Sequence, residues 1–204
     1  RSTDVTPKHK FKFKNQIMLL DATVVDLCLS AFPWARFRKR KGAIRLHYQL
    51  DLNGEIPSFL VVTDAKQHEL KVARSFFTIV PDSIYCMDKA YIDFNWLYTI
   101  NNKKAFFVTR AKDNQQYVVT GQHEITKKKS ILSDESISLT GILQHEKYPK
   151  DLRLICCFDE ESGKTLTFLT NNFSLSASTI AQIYQARWQI EVFFKWIKQN
   201  LKIK

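Results

Sequence analysis

The order of elements between Gln16 and Ala111 constrains this chain more than any other feature. "QIMLLDATVVDL" begins as a short apolar run that meets Asp21 and then Thr23. "AIRLHYQLDL" and "IPSFLVVTDA" are strand-like and flank Asn53-Gly54, the strongest short-range hairpin signal. "KQHELKVARSFFTIV" has helical spacing, "SIYCMDKAY" reads as a buried strand, "DFNWLYTINN" as a short helix begun by Asp93, and "KKAFFVTRA" as another strand. The order is strand, two-stranded hairpin, helix, strand, helix, strand.

From Lys112 to about Thr170 the character changes. Polar stretches such as "KDNQQ" and "TKKKSILSDES" alternate with β-rich runs, the last containing a hairpin around Ser162-Gly163. This stretch reads as a mostly β insertion, after which Ser176 or Ser178 caps the final helical region. The expected organisation is a basic linker or cut end over 1–15, a first part of the core over 16–111, an insertion over 112–170 and the rest of the core over 171–204. A chain of 204 residues can bury a substantial core. Its 45% hydrophobic and 13% aromatic content excludes disorder.

The formal net charge of +11 favours a polyanionic partner, nucleic acid ahead of an anionic membrane. No apolar run has the length of a transmembrane helix and the N-terminus lacks a signal-peptide core, so a soluble intracellular protein with no membrane partner is expected. The four cysteines, Cys28, Cys86, Cys156 and Cys157, include no CxxC pair. Neither a zinc site nor a disulfide framework follows from them; buried thiols in a reducing compartment fit best.

Asp21 follows "IMLL" and Asp88 follows "IYCM". A carboxylate directly after buried strand residues is costly unless it is paired, hydrogen-bonded or bound to metal. Each alone is weak evidence, because strands often end in Asp at a turn, and Asp64 after "FLVVT" stands in the same situation. Near the other end, "IYQARWQIEVFFKWIKQN" is amphipathic. Tyr184, Arg187, Glu191 and Lys198 fall within an arc of about 60° at 100° per residue. They run along the margin of an apolar face formed by Ile183, Ile190, Phe194, Ile197 and Leu201. An ordinary i,i+4 ion pair between Arg187 and Glu191 would explain them at a few tenths of a kcal/mol. A carboxylate set among phosphate-binding side chains, completing a metal site with Asp21 and Asp88, would explain them too. Two Mg²⁺ ions about 3.5–4 Å apart need hard oxygen ligands converging from several elements.

The segment "YQARWQIEVFFKWIK" resembles the Tyr-x2-Arg-x3-Glu-x6-Lys signature of the insertion-sequence-four family of DDE transposases, at all four residues and all three spacings. "LLDATVVDL" resembles that family's first-Asp motif and "MDKAYIDF" its second. The likeness extends over nearly the whole chain from about Phe11. It implies an RNase H-like fold, a five-stranded mixed sheet flanked by helices and interrupted by a mostly β insertion before the last catalytic helix. By the same resemblance Asp21, Asp88 and Glu191 hold two Mg²⁺ ions, with Mn²⁺ as substitute, and Tyr184, Arg187 and Lys198 grip DNA phosphates. The implied reaction is nicking at transposon ends, then strand transfer of the freed 3′-hydroxyl into target DNA, in a homodimeric complex in the bacterial cytoplasm at the nucleoid. Related members excise through a DNA hairpin with a flipped base.

Departures from the pattern are specific. "DKAY" stands where the family more often has Asp-Arg-Gly-Tyr, so Lys89 keeps the charge without the guanidinium fork. None of the four Trp residues lies in 112–170, where related enzymes stack a Trp on the flipped base; Tyr117, Tyr148 and Phe158 are the aromatic candidates instead. The basic run Arg36, Arg38, Lys39, Arg40 and Lys41 is a second DNA-facing candidate, and Lys127, Lys128 and Lys129 a third; both can equally be solvated loops. His47 and His68 are expected to be structural. The competing functions are an RNase H-like nuclease without strand transfer and a non-catalytic DNA-binding remnant of a decayed element.

Overall fold

The computed structural model describes residues 11–27, 36–38, 41–52, 56–125 and 130–200. In chain order the strands and helices are β1 (Ile17–Leu27), β2 (Arg36–Arg38), β3 (Lys41–Asp51), β4 (Ile56–Asp64), α1 (Glu69–Phe76), β5 (Ile84–Met87), α2 (Phe94–Asn102) and β6 (Phe106–Arg110). There follow β7 (Tyr117–Gln122), β8 (Ile131–Leu139), α3 (Ile142–Lys147), β9 (Leu152–Asp159), β10 (Lys164–Thr170), α4 (Ala177–Ala186) and α5 (Trp188–Asn200).

Successive side chains on a strand point to opposite faces, and β1 and β5 are buried on both. Ile17, Leu19, Ile84 and Cys86 enter one apolar cluster, which α4 and α5 close with Ile180, Ile183, Ile190, Phe194 and Ile197. Met18, Leu20, Tyr85 and Met87 enter the other, closed by Ala73 of α1 and Phe94, Leu97 and Ile100 of α2. Fully burying side chains such as Ile190, Phe194 and Ile197 contributes roughly 1.5–3 kcal/mol each. That far exceeds any surface ion pair, so packing rather than charge seats α5 on the sheet. No helix among the described residues is long and apolar enough to cross a membrane.

Among the described residues, ten strands share one sheet. Its first half has the order β4-β3-β1-β5-β6, with β3 antiparallel to both β1 and β4, and β5 parallel to both β1 and β6. β2 pairs with the start of β3. The expectation of five strands is therefore corrected: the strands of the insertion extend the same sheet. β10 runs antiparallel to β6 with Phe168 opposite Arg110 and Thr170 opposite Val108, and β9, β8 and β7 follow in turn. The physical reason lies at β6, whose outer backbone groups would otherwise be an open edge; β10 satisfies them.

Local signals largely hold. The Asp93 carboxylate accepts from the Trp96 N–H and caps α2, and Ser176, not Ser178, caps α4 by accepting from the Thr179 N–H. β9 and β10 form the expected hairpin, with Gly163 at φ 66° where a side chain would be strained. Asn53-Gly54 lies outside the described residues, but the strands on either side of it pair antiparallel. Two readings change. β1 does not stop at Asp21 but continues to Leu27, because β3 stays paired with it from Asp51 down to Gly42 after β5 has ended. The final amphipathic segment is not one helix: it divides at Arg187, whose N–H reaches back three residues to the Tyr184 carbonyl at 3.0 Å. Such i→i−3 bonds tighten the chain locally.

Candidate active site

Strand register brings the first two carboxylates together. β1 and β5 pair in parallel with Leu20 beside Met87, so Asp21 and Asp88 are the next residues on neighbouring strands, whose spacing is about 4.8 Å. By parity both follow Leu19 and Cys86 onto the face covered by α4 and α5. The Asp21 Oδ1 accepts from the Ala22 N–H at 2.8 Å. The Asp88 Oδ1 accepts from the Lys89 N–H and caps a short 3₁₀ turn over Lys89–Tyr91. Glu191 sits in the first turn of α5, where the helix N-terminus favours negative charge. The three carboxylates line one cleft of about 560 Å³, together with Arg187, Lys195 and Lys198.

Arg187 ties two of them. Its Nη1 donates to Asp21 Oδ2 at 3.0 Å and its Nη2 to Glu191 Oε1 at 2.5 Å. Its guanidinium carbon stands 5.5 Å from the centre of the Tyr184 ring, within cation–π range. Its Nε is buried, with no hydrogen-bond partner found among the described residues. Burial works against the charge of Arg187, but Tyr184, Asp21 and Glu191 outweigh it and hold the proton more firmly than in free arginine. Burial pushes Asp21 up from 3.8 to about 6; the Ala22 N–H and Arg187 oppose the rise, while Glu69 and Asp88 add to it. The Cys86 thiol beneath the site is pushed up to about 12, again by burial first, and it donates toward the Ile183 carbonyl.

Asp21, Asp88, Glu191, Arg187 and Lys198 thus meet at one place. Tyr184 does not join the cleft lining: it is 8% exposed, its ring packs on Phe168, and burial raises its hydroxyl to about 12. The backbones of Arg36 and Arg38 form β2 and that of Lys41 starts β3. Their side chains, and Lys39, Arg40 and Lys127, Lys128 and Lys129 altogether, lie outside the described residues. Asp64 serves a turn, accepting from the Lys66 and Gln67 N–H groups. His47 is fully buried, bonds Thr63 through Nε2, and is lowered to about 4 by burial and by Arg45, as suits a structural histidine. Tyr148 is fully buried and packs on Tyr98 and Phe107, so it is removed as a base-stacking candidate; Tyr117 and Phe158 are 37% and 42% exposed. Sequence reading missed Lys195. Its place one turn after Glu191 and just before Lys198 on the same helix was the available signal.

Three carboxylates on one cleft, with no sulfur or imidazole among the lining residues, are the donor chemistry of a hard divalent cation. The donors fit such an ion in kind. As the side chains lie, however, no three acidic, histidine or cysteine groups among the described residues stand close enough to hold one, and the guanidinium of Arg187 lies against two of the three carboxylates.

Residues 12–204 match the family model described as "Transposase DDE domain". A relative from Sinorhizobium fredii, "Putative transposase y4zB", is 33% identical over 192 residues, covering 92% of this chain and 53% of the relative. "Probable transposase for insertion sequence element IS5377" from Geobacillus stearothermophilus is 28% identical, covering 96% of this chain and 51% of the relative. The chain therefore spans about half the length of these relatives. Among solved structures, a piggyBac transposase in a synaptic complex with hairpin DNA aligns over 89% of this chain and 40% of its own, at 9% identity and a TM-score of 0.49.

Proposed function

The chain belongs to the transposase DDE domain family, and from that premise we propose that it is the catalytic core of a DNA transposase. It would cleave at the ends of its element and join the freed 3′-hydroxyl to target DNA. The observation that carries this reading is the convergence of Asp21, Asp88 and Glu191, from three separate elements, on a cleft rimmed by Lys195 and Lys198. The strand order β4-β3-β1-β5-β6, three strands antiparallel and then two parallel, supports an RNase H-like core, with 112–170 as an insertion prolonging its sheet.

Asp21, Asp88 and Glu191 would hold two divalent cations, Mg²⁺ or Mn²⁺, which supply Lewis acidity at the scissile phosphate and a more acidic attacking water or hydroxyl. The chain's own residues do the rest. Lys198 and Lys195, exposed on the outer turns of α5, set point charges where a backbone phosphate enters. Phe194, at 6% exposure, closes the floor of the cleft and excludes water beneath the carboxylates. Backbone pairing of β1 and β5 fixes the spacing of Asp21 and Asp88 before any ligand arrives. The reading carries with it DNA as partner, a homodimer as the active complex, and the bacterial cytoplasm and nucleoid as the setting.

Incubation with supercoiled plasmid in Mn²⁺ tests it. The chain is expected to nick the plasmid and to form strand-joined products, and Glu191→Gln to do neither while retaining DNA binding in a gel shift. Nicking without joining would leave only a nuclease. Equal cleavage by Glu191→Gln would remove α5 from the chemistry.

A further inference from the structure

Arg187 is placed differently from an arginine that waits on a cleft rim for phosphate. Its two terminal nitrogens are spent on Asp21 and Glu191, at 3.0 and 2.5 Å. Two oxygens in neighbouring positions on one Mg²⁺, each bound at 2.0–2.1 Å, lie only about 3 Å apart. A pair of carboxylates drawn that close has no room for a guanidinium between them. A dication and a guanidinium held by the same two carboxylates would also repel each other in a half-buried site of low effective dielectric.

We propose that Arg187 and a divalent cation are alternative occupants of the gap between Asp21 and Glu191, so that cation binding turns the guanidinium out of its bridge and releases it to a DNA phosphate. The inference rests on the metal-binding reading of the three carboxylates given above. Three features of the site make the exchange workable. The bridge uses only the two terminal nitrogens, and no partner for the buried Nε is found among the described residues. The Tyr184 ring at 5.5 Å offers the cation a face to rotate across. Arg187 also stands at the junction of α4 and α5, outside both helices, where backbone adjustment does not break a continuous hydrogen-bond ladder. The consequence is ordered loading: the arginine meets phosphate only after the carboxylates have exchanged it for metal.

Mn²⁺ binding, followed by isothermal titration and by the free-ion electron paramagnetic resonance signal, tests this on the intact chain. The set is wild type, Arg187→Met, Arg187→Lys and the double variant Asp21→Asn/Glu191→Gln. Arg187→Met is expected to bind Mn²⁺ at least fivefold more tightly than wild type. Arg187→Lys, which keeps the charge but cannot span both carboxylates, is expected to fall between them and serves if Arg187→Met does not fold. In a gel shift, the DNA affinity that Arg187→Met loses relative to wild type is expected to be at least threefold larger in Ca²⁺ than in EDTA. Mn²⁺ affinity that is unchanged or weaker in both arginine variants, yet lost in the double carboxylate variant, would overturn the exchange and make Arg187 a positioning residue. Mn²⁺ binding unaffected by the double carboxylate variant would instead overturn the metal reading itself, and the exchange with it.

Discussion

Replacing Arg153 with Met should cost this protein about 4 kcal/mol of stability, and the reason lies at the junction of the insertion with α4. Arg153 on β9 is 4% exposed and Asp134 on β8 is 3% exposed. The guanidinium donates from Nε to Asp134 Oδ1 at 2.7 Å and from Nη2 to Oδ2 at 2.6 Å. Its Nη1 donates to the carbonyls of Asn172 and Leu175 at 3.1 and 2.6 Å, fastening the turn that leads into the Ser176 cap. Breaking such a buried pair leaves an uncompensated carboxylate, at about 3–5 kcal/mol. The two abandoned carbonyls add to the cost unless water reaches them. Domains of this kind are stable by only about 5–15 kcal/mol, so the variant should be marginal. The double variant Arg153→Met/Asp134→Leu removes the stranded charge and should lose only about 1–2 kcal/mol, chiefly from the carbonyls. Urea unfolding of wild type, both single variants and the double variant gives the comparison, with the double variant expected to be about 2–3 kcal/mol more stable than Arg153→Met alone. A loss under about 1 kcal/mol for Arg153→Met, or a double variant that costs the sum of the singles, would refute the reasoning.

Asp21 predicts a pH dependence of known sign. Its carboxyl titrates near 6 in the fold against an ordinary 3.8, so the folded state favours its protonated form. That stabilisation is complete below pH 3.8 and is lost as pH rises through 6, a fall on the order of 3 kcal/mol. Urea midpoints in EDTA should therefore drop from pH 4.5 to 7.5 more for wild type than for Asp21→Asn; parallel curves would contradict it. Asn171→Ala should cost about 2 kcal/mol, because Oδ1 accepts from the Phe107 N–H and Nδ2 donates to the Ala105 carbonyl, both at buried positions. A thermal midpoint unchanged within error would show that water substitutes freely there.

The sequence carried the site further than it carried the sheet. Asp21, Asp88 and Glu191 were each a weak signal by local pattern, as Asp64 after its own apolar run shows, and it was the resemblance of three motifs that set them together. Local chemistry decides other features: a cap at Asp93, a hairpin at Gly163, an apolar stripe through Ile190, Phe194 and Ile197. What was not legible depends on partners distant in sequence. The β-rich pattern of 112–170 said strand, but nothing within it said that β10 would pair with β6 rather than close on its own hairpins. Asp134 was read as part of a polar stretch, because its partner Arg153 lies nineteen residues away and burial alone turns the two into a pair. Tyr184 matched a DNA-binding signature, and the structure holds its ring against Phe168 and beside Arg187, a burial that the motif did not announce. The division of the last helix at Arg187 was hidden as well, since the residues around it keep an unbroken amphipathic period.

The prolonged sheet also changes where this molecule can be handled. Without β10, β9, β8 and β7, the unpaired backbone of β6 would lie one strand from β5 and Asp88. With them, the outermost strand is β7, four strands further out, or about 19 Å at 4.8 Å per strand. Tyr117, Val118 and Val119 there are the exposed apolar residues of that strand. Solubilising charges, a fluorophore or a surface tether introduced on β7 would therefore act on self-association while leaving the carboxylate cleft beyond direct reach.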